Sequence, residues 1–343
     1  MRILLYGEDW EGTHVNSIAK VLEELHVNHK IFDFCKYFLN TAASKNIINN
    51  YSSRIYNRLA YLLIEKKINK ELLDCIDKYK PTTFFISKGV NIYPETLKII
   101  ADRSILIINW NPDDYFNKKN SSRNLLESLG IYDIVISSRS NRYAYYRSQG
   151  VKRIECVDWY YIPWLHRRVL QETVLENKIL YIGAFSKKRD WFLSEISHQF
   201  PLEIYGGGWA KSKLLRKRKN TILTKQVLRQ KDFPQKFHSA KINLNILNDL
   251  NFDETNLKLF EIPACSGFLL SSYSEASSSI LNPDSECKYF KIWDLDDIHA
   301  KLTEIDRMSL PDYEEIRNSG YNKLLAQKHS LNDRVESLLK FFV

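Results

Sequence analysis

The feature that most constrains this chain is an alternation. Short apolar runs of strand length are separated by stretches of helical spacing, and the series occurs twice. Arg2–Leu5 reads as a buried strand, Gly7–Thr13 as a polar loop, Asn16–Leu25 as a helix and His29–Phe34 as a second strand. A long helical stretch follows, Tyr51–Tyr79, whose apolar stripe is read as Leu59, Leu62, Leu63, Ile68, Leu72 and Ile76. Thr82–Ile86, Ile105–Asn109 and Asp133–Ser137 are strand-like, with helices predicted from Pro94 to Ile100 and from Ser140 to Gln149. Parallel strands need crossover connections, so this order predicts a parallel sheet with helices on its faces.

The second series opens after Val169–Asn177, a charged stretch with the look of a linker. Strands are expected at Lys178–Ile182, Leu202–Tyr205, Lys241–Ile246, Phe268–Ser272 and Tyr289–Ile292. Helices are expected at Arg189–Gln199, Phe233–Ser239, Leu257–Cys265, Glu275–Leu281 and from the aspartates 294–297 to Ile305, with Tyr313–Val343 helical to the end. A chain of 343 residues is long for one ordinary domain and suits two. The expected division is 1–170 and 171–325, with a C-terminal helix of about 326–343 packing back on the first domain. The fold class is α/β: two Rossmann-like doubly wound domains facing across a cleft, with ligands at the carboxyl ends of the strands.

Several function classes are disfavoured. The start, MRILLYGEDW, has no basic region followed by a long apolar core, so no secretory signal is expected. No uncharged apolar stretch approaches 18 residues, the length that a spanning helix needs. The five cysteines are scattered and never spaced CxxC, which disfavours a disulfide framework or a zinc site and fits reduced cytoplasmic thiols. HExxH, GxSxG, Walker A and GxGxxG are all missing, and no DxD stands where a metal-dependent transferase would need one. No metal and no cofactor are expected. The net charge of +9 is concentrated in Lys211–Lys219, either a solvated face or a peripheral contact with acidic lipid headgroups.

Candidate binding residues cluster at strand ends in the second series. In Asn256-Leu-Lys-Leu-Phe-Glu261, Asn256 and Lys258 stand at a helix start, a natural phosphate site. Glu261, a turn further in, could accept hydrogen bonds from ribose hydroxyls, or it could be a helix-surface acid paired with Lys258. Gly183 begins a turn that puts Arg189 at a helix entry, where its planar fork could hold a diphosphate. Gly206, Gly207 and Gly208, before Trp209, let a backbone approach a ligand closely. In the first series, Gly12, Thr13 and His14 lie in the first strand-to-helix loop, with Gly12 and Thr13 read as acceptor-binding and His14 as a catalytic candidate that orients the acceptor, or else as a structural histidine. Trp110, Asp113 and Asp114 close a later strand, where an acid could bind acceptor hydroxyls, act as a base or cap the next segment.

These segments resemble the CgeB-like bacterial glycosyltransferases, relatives of the large retaining group-1 transferases. Asn256-Leu-Lys-Leu-Phe-Glu-Ile-Pro-Ala-Cys-Ser-Gly-Phe-Leu-Leu270 is similar to that family's NLRxFEIPACGGFLL block. Lys241–Asn245, Ile182–Arg189, Ile204–Trp209, Asn109–Asp114 and His329–Arg334 follow the family order. Lys258 stands where arginine is common and Ser266 where glycine is. The resemblance implies a GT-B fold, with a nucleoside-diphosphate sugar in the C-terminal domain and an acceptor, a glycan or a lipid-linked one, on the N-terminal domain. It implies that Glu261 grips the donor ribose, that Arg189 and Lys258 neutralise the diphosphate, and that Asp253 occupies the spacing of a second conserved acid. Retaining, metal-independent transfer in bacterial surface-polysaccharide synthesis, at the cytoplasmic face of the membrane, is the expectation. The rival readings are an inactive sugar-nucleotide-binding module and, less favoured, a basic nucleic-acid-binding protein; no nucleic acid is expected as partner.

Overall fold

The computed structural model describes residues 1–38, 50–117, 120–169, 174–224, 228–248 and 252–342. Much of the predicted linker, residues 170–173, therefore lies outside the described residues. The chain divides into two compact units. One is Met1–Asp158 with Leu250–Phe252 and Leu331–Val343; the other is Trp159–Asp249 with Asp253–Ser330.

In chain order the first unit holds β1 (Ile3–Gly7), α1 (His14–Glu24), β2 (His29–Asp33), α2 (Asn50–Tyr79), β3 (Thr83–Ser87), α3 (Pro94–Ala101), β4 (Leu106–Trp110), α4 (Arg123–Glu127), β5 (Ile134–Ile136), α5 (Tyr143–Ser148) and β6 (Ile154–Glu155). Its six strands form a parallel sheet in the order β2-β1-β3-β4-β5-β6. Every residue of β1 and β3 is buried, as expected of central strands covered on both faces. Local chemistry sets the helix starts. Pro94 occupies the first turn of α3, and Ser122 Oγ accepts the Leu125 N–H to cap α4.

The second unit holds β7 (Glu176–Ile182), α6 (Lys187–Ile196), β8 (Leu202–Tyr205), β9 (Thr221–Leu223), α7 (Phe233–Ser239), β10 (Ala240–Asn245), α8 (Leu257–Ala264), β11 (Leu269–Ser272), α9 (Glu275–Ile280), β12 (Lys288–Phe290), α10 (Leu295–Asp306) and α11 (Leu310–Ala326). Its parallel sheet runs β12-β11-β10-β7-β8-β9. The final helix, α12 (Leu331–Leu339), belongs to the first unit and packs on α1. There Asn332 donates to Glu24 at 3.2 Å, and Phe342 meets the Phe85 ring edge-on.

Four expectations change. The outward face of α2 carries three leucines: Leu59, Leu62 and Leu63 are 79%, 68% and 71% exposed, while Ile64, Ile68, Leu72 and Ile76 are buried. At 3.6 residues per turn, Leu59 and Leu62 point about 140° and 160° away from Ile64, so the two sets cannot share a face. The helix predicted from Tyr313 to Val343 is two helices, broken where Lys328 takes a left-handed conformation (φ 56°). The predicted helix Ser140–Gln149 begins as a tight 3-10 turn, and α5 proper starts only at Tyr143. The units meet in sequence at Asp158/Trp159 rather than near 170. Trp159–Ile162 are buried, and Tyr161 bridges to Ser330 within the second unit.

Candidate active site at two strand switch points

In the first sheet the chain leaves β1 to one side for β2 and returns on the other side for β3. The loops that follow β1 and β3 therefore part, and such a reversal leaves a crevice beyond the carboxyl ends. A cavity of about 180 Å³ lies there, lined by Gly7, Glu8, Thr13, His14, Ser87 and Lys88 among others. Gly7 is required by packing, because a Cβ would meet the Val15 side chain at 2.3 Å. Gly12 turns the loop with φ 85°, and the Thr13 hydroxyl ties it closed, reaching Glu8 O at 2.6 Å and Trp10 O at 2.8 Å.

His14 is the first residue of α1; its Nδ1 lies 3.3 Å from Ser87 Oγ and its ring stands edge-on to Trp110 at 4.4 Å. Burial lowers its pKa from 6.5 to about 3, so the imidazole is neutral at physiological pH. So weak a base is suited to hydrogen bonding a hydroxyl rather than to storing its proton. Glu8, across the cavity, has its carboxyl pushed up by burial, against the pull of Lys88.

Trp110 is only 1% exposed, so it supports His14 from beneath and presents no free face to an acceptor. Asp113 and Asp114 part company. Asp113 stays partly exposed, 3.6 Å from Lys88 Nζ, while its N–H donates to Asn111 Oδ1 at 3.0 Å. Asp114 is buried and held by Arg142 through two contacts, 3.3 Å from Nε and 3.1 Å from Nη2. A buried carboxylate gripped in this way is a structural anchor, and a catalytic role for Asp114 does not fit.

The second sheet repeats the reversal between β7 and β10, because the chain runs β7-β8-β9 outward and then returns to the other flank of β7. The loops after β7, β8 and β10 carry most of the predicted donor residues. Gly206 has φ 139°, and a Cβ there would lie 2.1 Å from Gly183 O. No other residue type fits that approach. Gly208 is also left-handed (φ 88°), and Gly207 has open space where its Cβ would be. Trp209 is buried and bolts the loops together, its Nε1 donating to Gly183 O at 2.8 Å. A pocket of about 460 Å³ opens beside them, lined by Gly206–Trp209, Ala210, Arg216, Leu223 and Thr224. Arg189 stands in the first turn of α6, its N–H donating to the Ser186 cap and its guanidinium folded back to Ala184 O at 3.1 Å.

Asn256 caps α8, accepting the Leu259 N–H at 3.2 Å. Its amide also exchanges two hydrogen bonds with Asn245 at the end of β10, at 3.1 and 2.9 Å. Asn256 is thus anchored on both sides, and it fixes the helix start for Lys258 and Glu261. Lys258 pairs with Glu261 and lies 4.5 Å from the centre of the Phe233 ring. Glu261 is buried, not a surface acid, with His166 Nε2 at 3.8 Å. Burial works to raise its pKa, but Lys258 and His166 outweigh that and hold it below the usual range. His166 Nδ1 accepts the Ile162 N–H at 3.0 Å, which leaves the proton on Nε2, toward Glu261. Burial lowers His166 to about 4. Asp253 lies in the loop before α8, its N–H donating to Asn248 O at 3.2 Å. Ser266 takes the left-handed position (φ 53°) after α8, which explains glycine in the resembling block.

Sequence reasoning missed Ser87, Lys88, Arg216, Thr224 and His166. None carries a motif; topology alone brings them to the two crevices. The basic run Lys211–Lys219 is a built turn: Leu215 is buried, Ser212 donates to buried Asp190 at 2.6 Å, and Arg218 donates to Ser194 Oγ at 3.2 Å. Among the described residues no group of three or more His, Cys, Asp or Glu is placed to hold a metal ion, and no helix is long and apolar enough to cross a membrane.

Residues 188–340 match a family model described as glycosyl transferase-like. A search of curated proteins finds no match. Among solved structures, sucrose-phosphate synthase from Thermosynechococcus elongatus superposes with a TM-score of 0.72 at 12% identity, covering 100% of this chain and 98% of that one. HepE of Anabaena in complex with UDP-glucose gives 0.64 at 10%, covering 99% and 100%. A trehalose-6-phosphate synthase studied for glycosyl transfer with retention gives 0.66 at 12%, covering 100% and 99%. The chain thus has the GT-B fold, and over residues 188–340 it is similar to the glycosyl transferase-like family.

Proposed function

We propose that this chain is an enzyme that moves a sugar from a nucleoside-diphosphate donor, bound by the second unit, to a hydroxyl of an acceptor bound by the first. The observation that carries the reading is the switch point between β7 and β10, where glycine loops and two helix N-termini, with Arg189, Lys258 and Glu261 in their first turns or just beyond, follow the carboxyl ends of adjacent strands. Helix N-termini and cations suit a diphosphate, whose charge grows as the sugar–phosphate bond breaks. In this reading Glu261 accepts a hydrogen bond from the ribose, with Lys258 turning toward phosphate. The 460 Å³ pocket beside Gly207 is roomy enough for part of a nucleotide. The HepE complex makes a UDP-sugar the first donor to try.

At the first switch point, neutral His14 and Ser87 would orient the acceptor hydroxyl. The acceptor oxygen bonds to the anomeric carbon, the bond from that carbon to the diphosphate breaks, and the hydroxyl proton leaves with the diphosphate. Retention of configuration, independence of metal and a CgeB-like role in bacterial surface polysaccharides belong to the same proposal. So does a place at the inner face of the membrane. The test is calorimetric titration with UDP, GDP, ADP, CMP and TDP in the presence of EDTA, followed by turnover of the matching sugar nucleotide. Binding with turnover supports the reading; tight binding with no transfer to any hydroxyl acceptor would make the chain a sugar-nucleotide-binding module.

A further inference from the structure

The burial pattern of α2 leaves one outward stripe that changes character along its length. Leu59, Leu62 and Leu63 come first, each more than two-thirds exposed, and the same face continues one turn later as Lys66, Lys67 and Lys70, all exposed. From Leu59 to Lys70 the stripe runs about 16 Å along the helix. Soluble surfaces scatter single leucines; three neighbours in a row against cations are a different composition. Lys66 and Lys70 have no acidic partner among the described residues, and the acid facing Lys67, Glu71 at 3.8 Å, is shared with the Tyr37 hydroxyl. The cationic end continues into a groove of about 680 Å³ between α2 and edge strand β2. Lys30, Lys36 and Lys78 join Lys67 and Lys70 there against only Glu71 and Asp74.

We propose that this stripe docks the chain on an anionic lipid bilayer. The leucines enter the boundary between headgroups and acyl chains, and the lysines rest on the lipid phosphates. Charge complementarity decides for this occupant. A second copy of the chain would bring five lysines of one groove against their own kind, whereas an anionic leaflet offers both an apolar layer and a negative surface. The inference stands apart from the reading of the donor site, since vesicle binding is measured without substrate. It also places the membrane contact on α2 and not on Lys211–Lys219.

The experiment is co-sedimentation of the full chain with phosphatidylcholine vesicles, with and without phosphatidylglycerol, at low and high salt. The proposal expects binding only with phosphatidylglycerol, weakened by salt. The combined change Leu59→Ser, Leu62→Ser and Leu63→Ser should weaken it at least about tenfold. Lys66→Glu, Lys67→Glu and Lys70→Glu together should do the same, while Lys213→Glu, Lys217→Glu and Lys219→Glu leave it intact. All these side chains are outward, so unchanged melting temperatures serve as the folding control. No binding by the wild type, or binding by either α2 variant equal to wild type, would overturn the proposal. So would a dimer in light scattering that the serine variant alone dissolves.

Discussion

The two switch points use opposite chemistry on the same topology. At the first, the loop is closed by a side chain, the Thr13 hydroxyl on two carbonyls, and the central histidine is neutral with a pKa near 3. At the second, the loops approach backbone to backbone at Gly183 and Gly206 and are tied by the Trp209 indole, and the central carboxylate is buried between Lys258 and His166. A hydroxyl acceptor needs a polar, uncharged partner, while a diphosphate needs fixed positive charge and bare N–H groups. In the proposed reading this difference divides the labour between the units: the doubly wound sheet supplies the crevice twice, and the side chains decide what each crevice would hold.

The largest way to break this contrast is Gly206→Ala. The methyl group has no room against Gly183 O, and φ 139° disfavours any side chain. Loss of more than about 3 kcal/mol is expected, read as a fall in the denaturation midpoint. Gly207→Ala, one residue on, enters open space and should stay within about 0.5 kcal/mol of wild type. That makes it the clean variant for asking whether the adjoining pocket binds nucleotide.

Next comes the pair at the end of β4. Asp114→Ala strands the Arg142 guanidinium and should cost about 3 kcal/mol. Asp113→Ala removes a half-exposed contact to Lys88 and should cost under about 1 kcal/mol. If Asp113→Ala lowers turnover while the fold holds, the acceptor site includes that acid. If Asp114→Ala proves harmless to stability, its place as an anchor is wrong.

A further effect is in pH. His14 and His166 have folded pKa values lowered to about 3 and about 4, so the unfolded chain takes up their protons first as pH falls. Their contribution is whole above the ordinary value of 6.5 and drains away as pH drops from there, toward about 4 for His166 and about 3 for His14. His14→Gln and His166→Gln should each flatten that part of the stability curve by about 2 kcal/mol. Glu203 acts in a lower window: burial alone would raise it, but Lys178, Tyr205 and Lys236 hold it at about 2. Its contribution is full above about 4.5 and fades as pH falls toward 2. A curve flat from pH 7 to 4 in the wild type would refute the neutral, buried state of both histidines.

The strands of both sheets were legible because central parallel strands are covered on both faces and read as unbroken apolar runs, as in β1 and β3. Helix starts at Pro94, Asn256 and the 294–297 aspartates were legible through their capping chemistry. Strands β6 and β9, two and three residues long, leave no such pattern. The face of α2 was misread because six apolar residues in a row of turns do not say which of them meet the sheet. For the site, glycine spacing and the Asn256–Glu261 block marked the second switch point. Nothing local distinguishes Asp113 from Asp114, or brings His166 to Glu261, since both are consequences of packing between distant elements.

The most direct test of the central claim is titration of the folded chain with nucleoside diphosphates in EDTA, wild type beside Glu261→Gln. The substitution keeps the shape of the side chain and removes the charge between Lys258 and His166. The account predicts that one nucleoside diphosphate, UDP tried first, binds the wild type and that the variant binds at least about tenfold more weakly, the loss of one charge-assisted hydrogen bond. A well-folded wild type that binds none of them, or a variant that binds as tightly as the wild type, would contradict the assignment of the second switch point to the donor.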